Sequence, residues 1–136
     1  GARTDPAEAA EFVAATGVDG LAVAVGSSHA MTTRDAELDL ALIGRLSSGV
    51  GVPLVLHGSS GVSDDNLGAA VRAGMRKVNI GTALNLAYSG AVRTVLDGQE
   101  PVTDPRTYLA PAREAIADAV AELCRVITAP ATLEAR

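Results

Sequence analysis

The chain has 136 residues, a net charge of −5, one cysteine, no tryptophan, one phenylalanine and two tyrosines. This length allows one domain with one core, and apolar mass made of Ala, Val and Leu suits layered α/β packing. An acidic chain without a Lys/Arg cluster excludes nucleic acid as a default partner, and no apolar run approaches the roughly 20 residues that cross a bilayer, which excludes a membrane span.

In chain order, Asp5-Pro6-Ala7-Glu8 opens a helix, with Asp5 as cap, Pro6 at the first position and Glu8 reaching back. It is predicted to run to Thr16 and stop at Gly17. Residues 21–26, Leu-Ala-Val-Ala-Val-Gly, have no polar alternation and read as a buried strand. Ser27 to Asp35 is loop-like. Asp39 caps a helix through Ser48 that shows Leu38, Leu42, Ile43 and Leu46 on one face.

A second strand is predicted over 53–57, followed by the loop His57-Gly58-Ser59-Ser60-Gly61. Ser63-Asp64-Asp65 opens a short helix ending near Gly74. A third strand covers 77–81. Thr82 caps a helix over 83–97 with the stripe Leu84, Ala87, Tyr88, Ala91 and Val95. Asp104-Pro105 starts a separate helical turn, and a last helix over about 112–128 shows Ile116, Val120, Leu123 and Ile127, with Cys124 as buried filler. Right-handed crossovers make the three strands parallel and adjacent. Three such strands leave two bare edges, and the first helix has no strand before it. The simplest expectation is a slice of something larger, or a fold that a partner completes. The start Gly1-Ala2-Arg3-Thr4-Asp5 lacks a signal-peptide hydrophobic stretch, and a single cysteine allows no internal disulfide, so a cytoplasmic location is expected.

In parallel α/β folds, chemistry gathers at the C-terminal ends of strands. Here those ends are 26–30, 57–61 and 79–82. The only two histidines, His29 and His57, sit at two of them. Imidazole nitrogen suits Zn²⁺, and a catalytic zinc site takes three protein ligands and one open position. From spacing alone the same residues read more readily as an ordinary loop histidine and a hydrogen-bonded near-core one. Gly58-Ser59-Ser60-Gly61 before a helix suits a phosphate cradle, or a tight turn that needs glycine torsions. Asn79-Ile80-Gly81-Thr82 adds a second strand end of the same kind. Arg34 is read as an anion contact or a solvated loop charge, Arg76 and Lys77 as structural, and Asp64 and Asp65 as complements to a helix dipole.

Three stretches carry a resemblance: Gly17 through His29, Pro53-Leu54-Val55-Leu56-His57-Gly58-Ser59-Ser60-Gly61, and Lys77-Val78-Asn79-Ile80-Gly81-Thr82. In order and spacing they are similar to successive signatures of the class II, metal-dependent fructose-bisphosphate aldolases. Asp104 through Arg113 resembles that family's C-terminal helical segment. The resemblance implies the C-terminal portion of a (β/α)8 TIM barrel, a fold of about 250 residues, with residues 1–136 as one segment holding its last three strands. It implies His29 and His57 as two of three zinc ligands. It places Ala30, Gly58, Ser59, Ser60, Asn79, Ile80, Gly81 and Thr82 around a sugar phosphate. It puts the proton-moving aspartate on an earlier strand, so no catalytic proton-transfer residue is expected in this chain and the isolated chain is expected to be inactive. The implied reaction is zinc-dependent aldol cleavage of a ketose 1,6-bisphosphate to dihydroxyacetone phosphate and an aldehyde phosphate. A homo-oligomer, or completion by an N-terminal part, is implied as well. The alternatives are a tagatose-bisphosphate-type aldolase, a non-catalytic sugar-phosphate-binding or assembly fragment, and a flavodoxin-like domain. The chain departs from the family at Ala30, Ser59 and Gly81, and in Met31-Thr32-Thr33-Arg34, where an aromatic–lysine pair is usual.

Overall fold

A computed structural model describes residues 2–28, 33–98 and 101–128. Helix α1 is Pro6–Thr16, strand β1 Leu21–Ala22, helix α2 Leu40–Gly49 and strand β2 Leu54–Leu56. A 3-10 turn, Ser59–Gly61, leads to helix α3, Asp64–Ala73, then strand β3, Met75–Val78. Helices α4, Thr82–Leu96, and α5, Arg106–Thr128, follow. The chain divides into two compact units. One takes in the residues through Ile80 and the end of α5 from Val126, and the other is Gly81–Arg125.

In the first unit the strands pair parallel in the order β1-β2-β3. This is the expected α/β arrangement of three parallel strands with flanking helices. The local signals act as capping chemistry predicts. Asp5 accepts from the amides of Ala7 and Glu8, and Gly17 closes α1 at φ 65°. Asp39 accepts from Leu42, and Ser63 from Asn66. Leu42, Ile43, Leu46, Leu67 and Ala70 from α2 and α3 are buried with Leu54, Leu56 and Met75 of the sheet. Burial of this kind is the main stabilising term, at about 1.5–3 kcal/mol for each fully buried large side chain.

The strands are shorter than predicted and are buried on one face only. Val23, Val25, Leu54, Leu56 and Met75 are buried, while Ala22, Ala24 and Lys77 are exposed and Val55, His57 and Asn79 are half-buried. An apolar run of Ala and Val hid the alternation, because Ala22 and Ala24 differ from Val23 and Val25 only in size. The edge of β1 is occupied by the segment before α1: Thr4 donates to Ala24 O at 2.9 Å and accepts from the Ala24 amide at 2.8 Å. Between β2 and β3 the register slips by one. Leu54 pairs with Met75, but Val55 pairs with Lys77, leaving Arg76 as an extra residue on β3.

In the second unit, α4 carries the predicted stripe, although none of its residues is fully buried. Its cap position is Gly81, which has no side chain, and Thr82 is the first helical residue rather than the cap. The predicted turn at 104–105 and last helix are one helix. Asp104 accepts from the Arg106 amide at 2.9 Å, and α5 runs on through Pro111. Pro111 removes one backbone bond, to Thr107, and good helix formers on both sides and the fully buried Ala112 offset that loss. Cys124 is exposed, not buried, and so is Val120. The less exposed stripe runs through Ile116, Leu123 and Ile127, and both residues fall beside it.

Candidate functional site

The open ends of β1 and β2 are held together by backbone contact. Gly58 follows β2 at φ 66°, and a Cβ there would lie 2.4 Å from Ser28 O. Only glycine fits such a position, because it needs both the left-handed region and the missing side chain. Ser27 Oγ donates to His57 O at 2.5 Å, a second tie between the same two loops. Farther along, Ala36 donates to Gly61 O at 2.9 Å.

His57 leaves the end of β2 on the open face of the sheet. It lines a cavity of about 410 Å³ with Ala22, Val23, Ala24, Ser27 and Ser28. Its Nε2 lies 3.0 Å from Asn79 Nδ2, and Asn79 Oδ1 accepts from Lys77 Nζ. Asn79 also fixes the next loop: its amide donates to Leu56 O at 2.9 Å, and its carbonyl accepts from Ser59 Oγ at 2.6 Å. Ser59 is therefore a buried latch between the ends of β2 and β3. Its hydroxyl is used inside the fold.

Of the residues singled out in the sequence, His57, Gly58, Ser59, Ser60, Asn79 and Ile80 lie at the ends of β2 and β3 in the first unit. Gly81 and Thr82 open α4 and belong to the second. His29 and Ala30 lie outside the described residues. Among the described residues no three His, Cys, Asp or Glu side chains form a group that could hold a metal ion.

Arg34 is not a free loop charge. Its guanidinium donates twice to Val62 O, at 3.0 and 2.8 Å, and pairs with Asp64. Asp64 thus does more than complement a helix dipole: it anchors the loop after β1 to the start of α3. Ser27 and Ser28 were not assigned roles from the sequence, and Lys77 was read only as structural. Ser27 and Ser28 were in view as a Ser-Ser pair before a histidine. Lys77 was legible only through its spacing of two from Asn79, which puts both on one face of a strand.

Residues 1–131 match the family described as fructose-bisphosphate aldolase class-II, and the chain belongs to that family. The YdjI aldolase from Escherichia coli K12 is a similar solved structure, at 35% identity and a TM-score of 0.78, over 92% of this chain and 44% of that one. A candidate fructose-1,6-biphosphate aldolase from Coccidioides immitis matches at 30% identity and a TM-score of 0.79, over 93% and 44%. Fructose-bisphosphate aldolase from Campylobacter jejuni shares the fold, at 20% identity and a TM-score of 0.74, over 92% and 45%. The chain therefore spans less than half the length of these proteins, and its α/β fold is a portion of a TIM barrel. Among the described residues no helix is long and apolar enough to cross a membrane.

Proposed function

We propose that the chain supplies part of the site of a class II aldolase that cleaves a ketose 1,6-bisphosphate into dihydroxyacetone phosphate and an aldehyde phosphate. The observation that carries this reading is the place of His57, in a cavity at the open ends of β1 and β2, beside a glycine packed on the neighbouring loop. An imidazole nitrogen suits a borderline divalent cation such as zinc. His57 and His29 would hold it, with further ligands from residues beyond this chain.

When bound, the metal supplies Lewis-acid polarisation of the ketose carbonyl. The chain's own residues do the positioning. Gly58 seats the turn against the Ser28 backbone, and Ser60 lies on the same turn. Ser59 holds the turn against Asn79, and Asn79 fixes the His57 ring. Asn79 to Thr82, with Ala30, would complete the grip on the phosphate. A phosphate held at one end sets where the reacting carbonyl falls, which is catalysis by orientation. The protein is expected to work in the cytoplasm as a homo-oligomer or with the rest of its barrel.

Calorimetric titration of the chain with zinc, and then with dihydroxyacetone phosphate, tests the reading. The expected result is zinc binding that His57→Ala weakens at least about tenfold, the usual cost of losing a metal-site group, and sugar-phosphate binding that a chelator abolishes. Sugar-phosphate binding unchanged by the chelator and by His57→Ala would favour a non-catalytic binding fragment. No zinc binding at all would overturn the metal site.

A further inference from the structure

We infer that Lys77 is a positioning residue that fixes the tautomer of His57 through the side-chain amide of Asn79. Lys77 and Asn79 share the open face of the sheet, and Lys77 pairs across with Val55, two residues before His57. An ammonium donates hydrogen bonds and cannot accept them. The amide oxygen of Asn79 must therefore face Lys77, which settles an orientation that the amide's shape alone leaves open. The amide nitrogen then faces His57 at 3.0 Å. That nitrogen is a donor only, so Nε2 of a neutral His57 is the acceptor, and the ring proton resides on Nδ1.

The chain of dependence runs one way. The lysine decides the amide, and the amide decides the ring. Taking up a cation at Nε2 displaces the Asn79 nitrogen. Taking one up at Nδ1 moves the proton to Nε2 and turns the amide over, against Lys77. Lys77 thus controls which ring nitrogen is presented in the metal-free protein. Only this consequence rests on the aldolase reading, since the tautomer itself can be measured without metal or substrate.

Nitrogen-15 NMR of the metal-free chain at alkaline pH tests it. With two histidines in the chain, the His57 signals are those lost in His57→Gln. In the wild type, Nε2 is expected downfield as an unprotonated nitrogen and Nδ1 upfield as a protonated one. Lys77→Met should draw the two shifts together as the tautomers mix, and Lys77→Arg, which keeps a cationic donor, should restore their separation. A wild-type ring protonated at Nε2 would overturn the inference whether or not any variant folds. So would a Lys77→Met protein with unaltered shifts. Failure of zinc to bind would leave these signals in place, so the two readings fail separately.

Discussion

Gly58 carries more of the site's geometry than any other small residue. Its positive φ and the Ser28 backbone beneath it act together. Gly58→Ala is expected to lose about 2 kcal/mol of stability or more, because the left-handed region alone costs about 1–2 kcal/mol for an L-residue and the new Cβ would displace backbone. Urea denaturation measures this, and an unchanged midpoint would mean that the two loops are not in this contact. Ser59→Ala removes the donor to Asn79 O from a buried place and should cost about 1–2 kcal/mol, read in the same experiment. The need for glycine at 58 was visible in the sequence as a Gly-Ser loop after a strand. The inward turn of Ser59 was not, because a serine's direction is set by what lies under it, here a carbonyl twenty residues away.

At the scale of elements, α5 offers a test by pH. Its first turn is held by the Asp104 carboxylate, which the Arg106 side chain and then the Arg106 amide keep below its ordinary value of 3.8. A depressed carboxylate stabilises the folded form above its unfolded value and loses that effect as pH falls through the lowered one. The difference in helicity between wild type and Asp104→Asn should be present at neutral pH and vanish in acid well below 3.8, as followed by far-UV circular dichroism. A difference that persists in strong acid would assign the effect to another cause. Capping and periodicity were enough to find α1, α2 and α3, because Asp5, Asp39 and Ser63 act within their own turn. They failed at Pro111, where the pull of surrounding helix formers and a buried Ala112 outweighs a local breaker. They also failed for Cys124, since one step of about 100° separates the covered stripe of a helix from its exposed flank.

For the whole molecule, folding and ligand binding should be linked. A cation that binds only the folded chain adds about 2.7 kcal/mol at a hundredfold excess over its Kd. Zinc is therefore expected to raise the melting temperature of the wild type by several degrees and that of His57→Ala by clearly less. Equal shifts in both proteins would place the bound zinc elsewhere. The family and the parallel order of the strands were legible because three motifs follow in the right sequence at strand ends. The one-sided cover of the sheet and the Lys77–Asn79–His57 chain were not, because they depend on how β3 aligns with β2. That alignment turns on Arg76. Without the bulge, even pairing would set Arg76 opposite Val55 and Lys77 opposite Leu56, among apolar neighbours, and carry Asn79 past the histidine. The extra residue is thus what brings Lys77 and Asn79 to the histidine's side while Arg76 is present, and its deletion would flatten the strand yet leave Lys77 opposite Val55.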